Sequence, residues 1–103
     1  MAVVSLMRFT GDPDELAAQI AERVAPVTAR LGRNHGQLAN VVARTDDGVL
    51  VINLWETEEG RQAMSKEPEV QQAVRSFATP PSSFESHEVV SLRVEAEAPV
   101  ASA

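Results

Sequence analysis

The stretch from Gly48 to Lys66 limits the fold more than any other part of the chain. It reads G-V-L-V-I-N-L-W-E-T-E-E-G-R-Q-A-M-S-K. Val49 to Trp55 is an almost unbroken apolar run, interrupted only by Asn53, and a turn signal, Asp46-Asp47-Gly48, precedes it. A run of this kind, rich in β-branched side chains, predicts a strand covered on both faces at the centre of a sheet. Thr57 then predicts a helix cap, with Glu58 and Glu59 after it, acids that suit the positive end of a helix dipole. A buried strand feeding a capped helix is half of a βαβ-type unit.

The rest of the chain extends this pattern. Val3 to Phe9 predicts a first, central strand. Asp12-Pro13-Asp14-Glu15 is a helix start, with Asp12 as N-cap and Pro13 at the first helical position. Leu16, Ile20, Val24, Val27 and Leu31 then make one apolar stripe facing a sheet. Pro26 inside the stripe predicts a kink near Glu22 to Ala25, and Gly32 a helix end. His35 to Thr45 reads as a second strand with more polar positions, hence an edge. Asp46-Asp47-Gly48 joins it to the third strand as a hairpin. Glu67-Pro68 restarts a helix, with Val70, Ala73, Val74 and Phe77 as its apolar stripe. Thr79 to Ser83 is a loop rich in proline and serine. Phe84 to Val94 reads as strand four. Residues 95–103 are small and acidic, and a disordered tail is expected there.

The order β-α-β-β-α-β predicts an α+β, ferredoxin-like fold: a four-stranded antiparallel sheet with helices on one face. One domain over residues 1–94 is expected from the 103-residue length. The sheet face without helices is rich in Val, Leu and Ile. A second copy of the chain is its simplest cover, which predicts a homodimer, a dimeric α/β barrel.

Charge and composition narrow the partners. The net charge of −6 repels phosphate backbones and anionic lipid, which argues against nucleic acid and membrane surfaces. The chain has no cysteine, so disulfides, thiolate nucleophiles and thiolate metal sites are excluded. That composition fits a cytoplasmic protein. Met1 to Phe9 is apolar but far too short to span a membrane.

Leu54-Trp55-Glu56-Thr57-Glu58-Glu59, a short helix and then Glu67-Pro68 resemble the dimeric α+β barrel superfamily. The run is most similar to its antibiotic-biosynthesis-monooxygenase group, whose third strand typically ends in Trp-Glu-Ser/Thr. The resemblance covers the order of elements from Val3 to Val94, and at residue level Trp55 to Pro68. It implies a homodimer with a pocket between sheet and helices in each subunit. It also implies chemistry such as cofactor-independent oxygenation of aromatic or polyketide-like molecules. Haem-degrading members resemble a pattern with a second Trp and then a His, where this chain has Met64 and Val74, so no haem is implied. Quinone-forming members typically bring a Tyr. This chain has none, and Arg61 stands near that place. Arg75 falls roughly where such enzymes carry an Arg.

Several residues are candidates for a site. Asn53 is an amide in an apolar strand and shares a face with Val49, Val51 and Trp55. It can bond a ligand carbonyl or a dioxygen-derived anion, or serve as a structural amide. Trp55 can stack on a planar ligand or simply pack in the core. His35 has a side chain suited to proton transfer at neutral pH, or sits in an exposed loop. His87, between Glu85 and Glu88, and Arg8 are further ligand candidates, each with a plain surface role as alternative. Arg44 can reach an anionic ligand or lie at the sheet rim. Met64, Val74 and Arg75 complete the ligand-binding set. The two histidines lack a ligand spacing, so no metal is expected. Pro26 and Gly60 are candidates for holding a gap open under the helices. Three readings stay open: an oxygenase, a small-molecule binding module, or a dimer with a filled core.

Overall fold

The computed structural model describes residues 1–77 and 80–94. Strand β1 (Val3–Thr10) is followed by helix α1 (Pro13–Gln19), a π-helical turn (Ile20–Val24) and helix α2 (Ala25–Gly32). A 3₁₀ turn (Arg33–His35) leads into β2 (Gln37–Thr45) and β3 (Gly48–Trp55). Helices α3 (Glu58–Ser65) and α4 (Pro68–Arg75) and strand β4 (Ser83–Glu88) complete the order. The sheet runs β2-β3-β1-β4, with every neighbouring pair antiparallel. The fold is α+β and ferredoxin-like, with β1 and β3 central.

Local chemistry explains the elements. The Asp12 side chain accepts from the Glu15 amide at 3.0 Å and opens α1. Pro26 has no N–H to bond the carbonyl one turn back. The chain answers with a wider turn in which the Ala25 amide bonds the Ile20 carbonyl, five residues back. Thr57 caps α3 by accepting from the Gly60 amide at 3.0 Å. Gly48 is required by proximity: a Cβ there would lie 1.8 Å from the Phe9 carbonyl oxygen.

Two boundaries differ from the sequence reading. Helix α2 does end at Gly32, and a 3₁₀ turn carries the chain on to Gly36, whose φ of 78° reverses it. His35 accordingly sits in that turn, and β2 starts at Gln37 rather than His35. Strand β4 ends at Glu88, not Val94. Its partner β1 begins at Val3, opposite Glu88, and after one further bond, from the Val89 amide to the Ala2 carbonyl, the ladder has no acceptor strand left. The tail expected over residues 95–103 lies outside the described residues.

The helices pack on the face that carries Val49, Val51, Asn53 and Trp55. Two core clusters fill its ends. One joins Phe9, Leu16, Ile20, Val49 and Phe77, with the Phe9 and Phe77 rings edge to face at 5.1 Å. The other joins Val3, Trp55 and Met64. The opposite face shows Val4, Leu6, Leu50, Ile52 and Leu54, flanked by Ala39, Val41 and Ala43 of β2. Its charged groups, Arg8, Glu85 and His87, stand on or against the β4 side. Among the described residues no helix is long and apolar enough to cross a membrane.

Candidate functional site

A cavity of about 130 Å³ lies between the two core clusters and draws its walls from both. The sheet contributes Ser5, Met7, Val51, Asn53 and Trp55. Ile20, Val24, Ala25 and Thr28 come from the π turn and α2. Met64 comes from α3, Val70 and Val74 from α4, and Phe77 from just beyond the end of α4. The gap has a physical cause. Its walls include short side chains, Ser5 on the sheet and Ala25 and Thr28 on the helix, which fill less of the space between the layers than larger ones would. Asn40, Ser65 and Phe84 are exposed lining residues and mark where the cavity reaches solvent.

The walls are apolar apart from a small polar centre. The Asn53 carbonyl oxygen accepts from Gln37 Nε2 at 2.9 Å and from Asn40 Nδ2 at 2.6 Å. Asn40 stands directly opposite Asn53 in the β2–β3 hairpin, and Ser5 directly opposite Asn53 on β1. The Ser5 hydroxyl, 4% exposed, accepts from the Trp55 indole N–H at 3.2 Å. Gln37 reaches Asn53 because a bulge shifts the β2 register between Gln37 and Ala39. Gly32 leaves the room: a Cβ there would lie 2.2 Å from Gln37 Oε1.

The charged corner is Arg61. It bonds both carboxylate oxygens of Glu58, with Nε at 2.9 and 3.0 Å, and its guanidinium lies 5.3 Å from the centre of the Phe84 ring. Ser86 on β4 also approaches Glu58, at 3.4 Å. The Arg61 hydrogen bond, against a smaller opposing effect of burial, holds the Glu58 carboxyl down at about 2, and the same pairing raises Arg61. This cluster ties α3 to the edge strand beside the cavity mouth.

The structure brings only some of the sequence candidates together. Asn53, Trp55, Met64 and Val74 line the cavity. His35 does not: its Nε2 lies 2.9 Å from Glu67 Oε1, where it joins the 3₁₀ turn to the start of α4. His87 is on the opposite sheet face, 58% exposed, 3.4 Å from Glu85. Arg8 is exposed on that face and Arg75 is exposed on α4. Arg44 pairs with Asp14 at 2.8 Å. Gly60 does not hold a gap open; it lets α3 close on the 3₁₀ turn, since a Cβ there would lie 2.1 Å from the His35 carbonyl oxygen. Ser5, Gln37, Asn40 and the Glu58–Phe84–Ser86 surroundings of Arg61 are site features that sequence reasoning misses.

No group of three or more His, Cys, Asp or Glu among the described residues could hold a metal ion. Among the described residues no histidine lines the cavity, so none is there to ligate a haem iron.

No family model matches the sequence, and no curated protein matches it significantly. Solved structures do match. One is a candidate antibiotic biosynthesis monooxygenase from Chloroflexus aurantiacus, 19% identical, with a TM-score of 0.65 over 91% of this chain and 98% of that one. Another is SnoaB, described as a cofactor-independent oxygenase from Streptomyces nogalater, 20% identical, TM-score 0.60, covering 93% and 98%. A heme-degrading protein from Mycobacterium tuberculosis is 22% identical, TM-score 0.62, covering 92% and 100%. A further match from an uncultured marine organism is described as a dimeric ferredoxin-like protein. The chain thus has the fold of the antibiotic-biosynthesis-monooxygenase structures, and at these identities the likeness is one of fold.

Proposed function

We propose that the cavity binds a small, planar, largely apolar molecule, and that the protein oxidises such a molecule with dioxygen and no cofactor. The observation that carries this reading is the unfilled apolar gap between sheet and helices, with a tryptophan and an amide cluster in its wall. The reaction class draws its support from the fold shared with SnoaB. In this chemistry the ionised substrate supplies the electrons. A ring CH₂ becomes C=O, one oxygen atom enters the product, and the other leaves as water with the two hydrogens. The protein contributes dry walls, orientation and hydrogen bonds to the oxygen on which charge gathers.

Size sets the substrate. The cavity of about 130 Å³ is smaller than the usual few hundred for ligand sites. It is near the roughly 150 Å³ of an engineered cavity that takes benzene. One ring fits inside, and a fused-ring substrate extends towards Asn40 and Phe84.

A second reading, a binding module without turnover, rests on one observation. Among the described residues no His, Asp or Glu lines the cavity, and the one charged lining residue among them, Arg61, is paired with Glu58. A substrate must therefore ionise without a base from the described wall. An oxygen electrode decides between the two. Dioxygen consumption with anthrone-like compounds, which carry the ring CH₂ that becomes C=O, lost in Trp55→Ala, supports oxygenation. Binding without consumption across the panel establishes the module.

We also propose that two copies pack through the apolar sheet face of Leu6, Leu50, Ile52 and Leu54, forming the barrel. The match to a dimeric ferredoxin-like protein supports this.

A further inference from the structure

Arg61 is the one charged side chain in the cavity wall among the described residues. It reaches the wall from α3, with its side chain 18% exposed. A guanidinium carries five N–H donors in a flat fork. The bonds to Glu58 use Nε and Nη2, and Nη1 takes part in none of them. The Phe84 ring lies against the same guanidinium. Glu58, held down at about 2, stays ionised at neutral pH, so its grip on Arg61 persists there. Phe84 stands opposite Met7 in the β1–β4 ladder, and Met7 also lines the cavity. Arg61 is thus a cation fixed at the mouth of an apolar space, with donors left over.

We propose that Arg61 is a specificity residue that binds an acidic group of the ligand, so that the molecule taken is an aromatic ring carrying a carboxylate. The ring lies among Met7, Val51 and Val74, and the carboxylate accepts from Arg61 at the mouth beside Phe84. Two arguments favour an anion over a neutral polar group. No Asp or Glu lines the cavity among the described residues, so the nearby acid is Glu58, whose oxygens already bond Arg61, Gln62 and Ser86. A charge-assisted bond to a guanidinium is also about twice as strong as a neutral one, and apolar walls strengthen it further. The net charge of −6 does not prevent this, since exposed charges beyond about 8 Å are screened at physiological salt. This inference rests on the cavity being a ligand site and adds the group that its ligand carries.

The test uses two probes of one ring and nearly one shape, benzoate and its neutral counterpart acetophenone. Trp55 is the one tryptophan and lines the cavity, so its fluorescence reports occupancy. In the parent protein benzoate is expected to bind at least as tightly as acetophenone, although its hydration opposes entry into an apolar space. Arg61→Met keeps an unbranched apolar stem and removes the charge. It is expected to weaken benzoate by about tenfold or more, as for one lost charged hydrogen bond, and to leave acetophenone nearly unchanged. Arg61→Lys, which keeps a positive charge, restores part of the benzoate binding; a loss of packing alone would not be restored in that selective way. Benzoate clearly weaker than acetophenone in the parent overturns the inference, whatever the variants do. Equal weakening of both probes in Arg61→Met also overturns it, while the cavity stands as a ligand site. If neither probe changes Trp55 fluorescence at concentrations where such molecules fill apolar cavities, the ligand site itself is overturned.

Discussion

Asn53 is the residue on which sequence and structure meet. An amide in an apolar strand invites either a structural or a ligand-binding role; the structure gives its oxygen two donors, Gln37 and Asn40, and places the residue in the cavity wall. Asn53→Ala removes the acceptor shared by Gln37 and Asn40. A stability loss of about 1–3 kcal/mol in urea unfolding is expected, since two donors lose a partner while staying partly solvated. A change within error would mean that the amide cluster contributes nothing to folding. Glu58 makes a pH-dependent prediction. Its carboxyl sits at about 2 against an ordinary 4.5, so its contribution to stability is full above about pH 4.5 and is lost as pH falls towards 2. Glu58→Gln should therefore show a shallower loss of stability across that window, and parallel acid-unfolding curves would exclude the pairing as a source of stability.

At the scale of elements, the legible parts are those set by local rules. The Asp12 and Thr57 caps, the paired start at Pro68 and the Asp46-Asp47 hairpin arise from short patterns. Asn40 is missed although the signal is there: counting outward from that hairpin puts it opposite Asn53. Ser5 is not legible, because its place beside Asn53 depends on the long-range register of β1 against β3. Gln37 is hidden by the bulge, which shifts the count near Leu38. The end of β4 escapes sequence reading for a related reason: Val90, Leu92 and Val94 keep the alternation of a strand, but pairing needs a neighbour, and β1 begins at Val3. The disturbance at Pro26 is readable from its missing N–H, while its form as a π turn is not. Pro26→Ala should restore regular α-helical bonding between Pro13 and Gly32 and shift Ala25 and Thr28, altering the cavity. Far-UV circular dichroism and probe affinity would both register it; an unchanged affinity would show that the π turn does not shape the cavity. Gly48→Ala should be far more harmful, by about 3 kcal/mol, because the new methyl meets rigid backbone at Phe9.

At the scale of the molecule, the sheet has two apolar faces with different fates. One is roofed by helices that leave a ring-sized gap. The other presents Leu6, Leu50, Ile52 and Leu54 outward. If a second copy covers it, sedimentation at micromolar concentration gives twice the chain mass, and Ile52→Lys gives a monomer; a native monomer would refute the barrel. The proposed function places the small molecule under the roofed face. Its most direct check is an NMR titration of the methyl groups with acetophenone. The predicted shifts fall on Met7, Val51, Met64, Val70 and Val74. Shifts confined to Leu50, Ile52 and Leu54 on the other face, or no shifts at all, would contradict it.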